Sequence, residues 1–294
     1  MTHQPLKFAI FGNIYQTKKS AAIRQVLSCL EELGVGLQFD EEYYEYLKDV
    51  QRIDVPCAQV FAGSAFDADF AISMGGDGTF LKTANRVADK QIPILGINMG
   101  RLGFLADVTP DDINESLRAL CQGNYEVEDR AVIGVSADGR PLGAAPYALN
   151  DVAILKRDTA AMISIHATIN GEYLTTYQAD GIIVSTPTGS TAYSLSNGGP
   201  IIVPGTHVFL LTAVAPHSLN VRPIVIPDSA VITFDVESRS HSFLTAIDGR
   251  SEKCREETQI TLKRAPFTTK VVKRSGNAYF ATLREKMMWG ADVR

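Results

Sequence analysis

Several protein classes are excluded by what this chain lacks. It has only four cysteines, Cys29, Cys57, Cys121 and Cys254, spread over 294 residues with no C-x-x-C pair. Neither a disulfide framework nor a zinc knuckle is indicated, and the four read as core or surface thiols. There is no basic excess: Lys+Arg 28 against Asp+Glu 33 leaves a net charge of −5, so no nucleic-acid partner is expected. No apolar run approaches the ~20 residues of a membrane span. The start, MTHQPLKFAIFG, has one lysine and too short an apolar run for a secretory signal. The expectation is a cytoplasmic protein with no membrane partner. His3, His166, His207, His217 and His241 show no metal-ligand spacing and no obvious Ser or Cys partner, so none is assigned to catalysis and metal ligands stay unassigned. Neither a G-x-x-x-x-G-K-[ST] loop nor a G-x-G-x-x-G fingerprint occurs.

What is present suits two domains, each able to bury a core. The first ~125 residues alternate β-rich runs with helical patterns, the layout of a parallel sheet flanked by helices. Strands are expected at 6–11, 35–39, 69–74 and 92–97, with a helix carried by Ile23, Val26, Leu27, Leu30 and Leu33. Thr109-Pro110-Asp111-Asp112 is a helix start and Gly123 its stop. After Gly123 the chain becomes mainly β. Asn170-Gly171 between MISIHATI and EYLTTY signals a hairpin, and further strands are expected at 181–185, 208–213, 231–236, 243–247 and 259–263. The segment 278–289 regains helical spacing through Phe280, Leu283, Met287 and Met288 and is expected to pack back on the first domain. The expected division is an α/β domain at 1–124, joined by a helix within 275–294, and a β-rich domain at 125–274.

Three stretches carry chemistry. GGDGT, Gly75 to Thr79, stands between a strand and a helix. Gly75, Gly76 and Gly78 let a phosphate approach the main chain, the helix N-terminus adds a favourable partial charge, and Thr79 adds a hydroxyl. Asp77 repels phosphate, so it needs a task, such as holding Mg²⁺ or accepting a proton from an attacking hydroxyl. The bland alternative makes Asp77 a helix cap. NMGRLGFL, Asn98 to Leu105, belongs on the same edge of the sheet, where open α/β folds bind ligands. Arg101 there suits phosphate and Phe104 a base, or else Phe104 and Leu105 fill a domain interface. TPTGSTAY, Thr186 to Tyr193, extended to Pro200, is rich in hydrogen-bonding groups suited to a nucleoside. Its alternative is a solvated loop. Asn150-Asp151 is a pair that grips vicinal hydroxyls or simply makes a turn.

Taken in order, GGDGT, NMGRLGFL, LND, ADGIIVSTPTGSTAYSLSNGGP and APHSLNVRP resemble the NAD kinase family over nearly the whole chain. GGDGT alone is shared with diacylglycerol, sphingosine and 6-phosphofructokinase-like kinases; TPTGSTAY narrows the resemblance to NAD. The resemblance implies an α/β N-terminal domain and a β-rich C-terminal domain in a homo-oligomer, a dimer or tetramer. It implies transfer of the ATP γ-phosphate to the 2′-hydroxyl of the adenosine ribose of NAD⁺, assisted by Mg²⁺ or another divalent cation. By position, Asp77 would accept the hydroxyl proton with Gly78 beside it. Asn150 and Asp151 would bind adenosine, although many members carry Glu at the latter position. Asp180 would approach the nicotinamide half. Thr191, Ala192, Tyr193, Ser194, Leu195 and Ser196 would line the dinucleotide, as would Phe104, and Asp248 and Arg250 would reach it. Gln178 stands where members restricted to NAD and ATP often have Arg and those also taking polyphosphate or NADH have Gly, so selectivity is open. Ala161 replaces a residue that is often basic, with Arg157 a substitute. The rivals are another GGDGT-type kinase with a lipid or sugar-phosphate acceptor, and a non-catalytic NAD(P) sensor.

Overall fold

The computed structural model describes residues 5–15, 20–55, 59–100, 103–157, 161–273 and 279–288. The chain forms two compact units, Met1–Asp129 with Thr269–Arg294, and Arg130–Thr268. Unit 1 opens with β1 (Lys7–Gly12), α1 (Ser20–Glu32), β2 (Gly36–Asp40), α2 (Glu41–Asp49), β3 (Gln59–Phe61), β4 (Phe70–Gly75), α3 (Asp77–Val87), β5 (Ile94–Asn98), α4 (Ile113–Cys121) and β6 (Glu126–Arg130). Unit 2 carries β7 (Ile133–Ala137), β8 (Arg140–Pro141), β9 (Tyr147–Ala148), β10 (Asp151–Lys156), β11 (Ile163–Ile169), β12 (Glu172–Ala179) and β13 (Gly181–Ser185). The one-turn α5 (Tyr193–Ser196) follows, then β14 (Val208–Val214), β15 (Ile224–Pro227), β16 (Ile232–Glu237), β17 (Ser242–Ile247), β18 (Arg250–Arg255) and β19 (Ile260–Arg264). The chain re-enters unit 1 as β20 (Thr269–Lys273) and α6 (Tyr279–Met287).

Unit 1 is a sheet in the order β3-β2-β1-β4-β5-β20-β6, parallel from β3 through β20. β4 and β5 are buried at every residue, as expected where helices cover both faces of a parallel sheet. Phe8, Ile10, Ile72 and Leu95 from the strands pack with Val26, Leu30, Leu47 and Leu117 from the helices. In α3 the residues Phe80, Thr83, Ala84 and Val87 are buried, the i, i+3, i+4, i+7 stripe that docks a helix on a sheet. This orientation sends the carboxyl ends of β4 and β5 to one edge, with Gly75 paired to Asn98.

Unit 2 is built of two antiparallel sheets, β15-β14-β13-β10-β17-β18 and β12-β11-β16-β19-β7-β8, with β9 paired to β7. Both feed one core: Val152, Ile154, Ile182, Val184 and Phe209 from the first, Ile165, Ala167, Phe234 and Leu262 from the second. The Asn-Gly hairpin is present, with Asn170 at φ 52° and Gly171 at φ 83°, the left-handed pair that a two-residue turn of this kind requires. Thus the expected α/β and mainly β architectures are both found.

Two readings change. The sequence pattern gives no strand at β20, yet it lies between β5 and β6. The C-terminal helix packs differently from its predicted face: Leu283 is buried, but Phe280 and Met288 are 55% and 65% exposed. Tyr279 packs instead, its ring 6.3 Å from that of Phe104. Cys29, Cys121 and Cys254 are free thiols whose pKa values burial pushes up, which leaves them poor nucleophiles. Cys57 lies outside the described residues. Among those residues no helix is long and apolar enough to cross a membrane.

Candidate active site

In unit 1 the site begins where β4 ends. Gly75 completes the strand, Gly76 is the extended residue before α3, and Asp77 opens the helix without capping it by its side chain. The capping alternative is therefore corrected. The carboxylate turns instead to the loop after β5: Oδ2 accepts the Phe104 amide at 2.9 Å, and Oδ1 accepts those of Leu105 and Ala106 at 3.0 and 3.2 Å. Glycines permit this approach. A Cβ on Gly103 would lie 2.0 Å from Asp77 Oδ1, and one on Gly96 would lie 2.7 Å from the Ala106 Cα. The loop then rejoins the sheet, Val108 donating its amide to Gly96 and pairing with Ile97. Gly103 of NMGRLGFL thus serves to seat Asp77, a task that its spacing alone does not reveal.

Gly76 and Gly78 have nothing within 4 Å of a built Cβ. They line a cavity of about 360 Å³ with Thr79, Lys82, Asn13 and Tyr15. Side chains at these glycines would project into that space, and the first-turn amides of α3 are the kind that receive anions. Arg86, at its back, is engaged with Asp40 at 2.6 Å and with the Gly63 carbonyl. Arg101 lies outside the described residues. Sequence reasoning also missed Lys286 on α6, whose ammonium is 3.4 Å from Asp77 Oδ2 and 4.4 Å from the Phe104 ring centroid. A lysine near the end of a helix carries no local signal of such a contact.

Unit 2 assembles a second constellation by the same device. Asp248, at φ 46° in the turn between β17 and β18, accepts the consecutive amides of Leu149, Asn150 and Asp151 at 2.8, 2.8 and 3.1 Å. Arg250 donates to the carbonyls of Ala145 and Tyr147, so both residues of the IDGR turn fix the approach to Asn150. The TPTGSTAY turn packs on the same point: the Asn150 carbonyl accepts the Thr186 amide, and a Cβ on Gly189 would lie 2.1 Å from it. Asn150 Oδ1 is buried with no partner. A buried unpaired acceptor is costly, so this one is suited to a ligand donor. Asp151 is buried beside Asp248, and burial, then that neighbour, raise its pKa to about 7 while the Tyr193 amide lowers it. Burial likewise raises Asp248, opposed by its three amides and Arg250.

The α5 turn holds the other predicted residues. Ser194 is buried and bonded to Thr212, Ser196 donates to the Tyr193 carbonyl, and Thr191 to that of Thr188. Ala192 and Leu195 are half-buried, and the Tyr193 ring is exposed at the rim. Gln178 and Asp180 do not join this group. Gln178, near the end of β12, and Asp180, between β12 and β13, lie at the opposite end of β13 from Thr186, which is about 20 Å from Asp180 along the strand at ~3.3 Å per residue. Asp180 is paired with Lys156 at 2.7 Å, and Gln178 donates to Ser164. Ala161 and Gln178 both line a separate cavity of about 580 Å³. His166 bridges Thr176 and Glu237, a sheet-surface role.

Comparison with known proteins gives matches over both units. The ATP-NAD kinase N-terminal domain model matches residues 9–125 and the ATP-NAD kinase C-terminal domain model residues 149–274. An NAD kinase of Bacteroides fragilis is 57% identical over 98% of this chain and 100% of its own. One from Porphyromonas gingivalis is 44% identical over 98% and 99%. Among solved structures, yeast NADH kinase complexed with NADH shares the fold at TM-score 0.89 and 20% identity, over 100% of this chain and 90% of that one. An NAD kinase from Archaeoglobus fulgidus in complex with ATP gives TM-score 0.73 and 25% identity over 96% and 99%.

Proposed function

The chain belongs to the NAD kinase family, and on that premise we propose that it transfers the γ-phosphate of ATP to the 2′-hydroxyl of the adenosine ribose of NAD⁺, giving NADP⁺ and ADP. The observation that carries the reading is Asp77: a carboxylate 30% exposed, held by three backbone amides beside an open glycine cradle. Phosphoryl transfer has a loose transition state, so positioning and charge neutralisation supply most of the acceleration. Asp77 orients the hydroxyl in line with the γ-phosphorus and takes its proton late, as the new O–P bond forms and the β,γ bridging P–O bond breaks. Gly75, Gly76, Gly78 and Thr79, with Arg101, form the phosphate side.

Asn150 and Asp151 hold the adenosine ribose, with the segment 191–196, Phe104 and Arg250 around the dinucleotide. Asp180 and Gln178, which the resemblance puts at the nicotinamide half, lie apart from this group, bonded to Lys156 and Ser164, and are given no role in it. A Mg²⁺ ion would be carried by ATP. Mg²⁺ keeps water and phosphate oxygens as ligands, and among the described residues no group of three metal-ligating side chains occurs, so none of the chain's own residues is assigned to it. Such an ion would neutralise phosphate charge. The family resemblance also supports a cytoplasmic homo-oligomer, a dimer or tetramer, which light scattering after gel filtration would test.

The decisive assay crosses ATP or polyphosphate with NAD⁺ or NADH in the presence of Mg²⁺ and reads NADP(H) with a specific coupled enzyme. Product from ATP and NAD⁺ is expected. Dinucleotide binding without ADP release would point to a sensor instead. Asn150→Ala is expected to raise KM for NAD⁺ about tenfold with little change in kcat, since it removes a ground-state contact. An unchanged KM would place the ribose grip elsewhere.

A further inference from the structure

The carboxylate of Asp77 has no spare acceptor site in the resting protein. An ionised carboxylate offers about four lone-pair sites. Three are filled by the amides of Phe104, Leu105 and Ala106. The fourth, on Oδ2, faces the Lys286 ammonium. A substrate hydroxyl that is to give its proton to Asp77 must therefore displace one of these donors.

The four are not equally held. The amides belong to a loop that is folded back onto β5, packed against Gly96 and closed on Asp77 at Gly103, so releasing them means undoing the loop. Lys286 is bound more loosely. Its contact is 3.4 Å, whereas charge-assisted N–O bonds usually close to about 2.7–2.9 Å. Its side chain is 31% exposed, and its second attachment is the Phe104 ring at 4.4 Å, a cation–π contact that tolerates sliding. The helix beneath is anchored by buried Leu283 and by Tyr279 against the same phenylalanine. Thus the stem is fixed while the ammonium can shift.

We propose that Lys286 is a displaceable partner of Asp77: it occupies the fourth acceptor site until the ribose hydroxyl takes it, then turns its ammonium to a phosphate oxygen of the donor. The proposal rests on the reading of Asp77 given above. The proton passes from the hydroxyl to Asp77 Oδ2, the negative charge leaves with ADP, and Lys286 keeps its own proton throughout. Its service is to the donor, with no part in recognising the dinucleotide.

Steady-state kinetics of the full chain with ATP and NAD⁺ test this. Lys286→Met is expected to lower kcat about tenfold and raise KM for ATP about fivefold, with KM for NAD⁺ unchanged within about twofold. Lys286→Arg, which keeps the charge, is expected to stay within about threefold of the parent kcat. The proposal is overturned if Lys286→Met leaves kcat and the ATP KM unaltered, or if Lys286→Arg is as impaired as Lys286→Met. It is also overturned if both KM values rise together with a loss of thermal stability, which would mean helix packing only. Asp77→Asn in the same assay separates the failures. Normal turnover there removes both readings, while a crippled Asp77→Asn beside an unaffected Lys286→Met removes Lys286 alone.

Discussion

Asp77→Asn is expected to cut kcat by about 10²–10⁴-fold, the usual contribution of a general base, while the affinity for NAD⁺ changes little. Asparagine is nearly isosteric, but it has one acceptor oxygen where the carboxylate has two, and its NH₂ is a donor. Of the three amides now received by Asp77, Oδ1 alone can keep Leu105 and Ala106. The Phe104 amide would meet the NH₂ group. The variant therefore loses its proton acceptor and loosens the loop at the same point. Binding is spared because the residues read as gripping adenosine, Asn150 and Asp151, are fixed by Asp248 in unit 2. Single-turnover kinetics together with dinucleotide titration would separate the two effects. A variant turning over at the parent rate would mean that Asp77 only shapes the loop.

Stability is expected to decline as the pH rises from about 4 to about 7, and Asp151 is the cause. Its carboxyl moves from the ordinary 3.8 to about 7 on folding, because it is buried beside a second carboxyl. The folded chain then holds a proton that the unfolded chain has released. This contribution is fully present below the unfolded pKa and is lost as the pH rises through the folded one. Its slope is up to about 1.4 kcal/mol per pH unit. Asp248, also raised, acts in the same direction. Asp151→Asn stays neutral at every pH, so it should flatten the dependence and be the more stable protein at about pH 8, with a raised KM for NAD⁺. Urea midpoints at about pH 5.5 and pH 8 would check this. Equal pH dependence in parent and variant would show that the carboxyl is ionised in the folded state.

Much of the architecture was legible because it rests on local signals. The apolar runs of β4 and β5 are dense enough to mean strands covered on both faces, and Asn170-Gly171 dictates its own turn. The GGDGT turn, the Asn150-Asp151 pair and the TPTGSTAY segment were legible as ordered motifs. What escaped is what depends on distant chain segments meeting. β20 is five residues long and has no pattern stronger than its surroundings; its place in the parallel sheet comes from its partners. Asp248 reads as hairpin chemistry, and only the fold brings its carboxylate to amides almost a hundred residues earlier in the chain. Lys286 reads as one more exposed helical lysine. Phe280 and Met288 share the helical spacing of Leu283 yet stay exposed, because on so short a helix one buried leucine and a neighbouring tyrosine suffice for docking.

The position of β20 also bears on how the protein can be made. Because it lies between β5 and β6, the first-born sheet has a vacant slot during the whole time that residues 131–268 leave the ribosome. Two strand edges then stand without neighbours, and such edges invite pairing with foreign chains. A nascent chain released before residue 273 would keep that gap permanently, even with every phosphate-handling residue of its N-terminal part in hand.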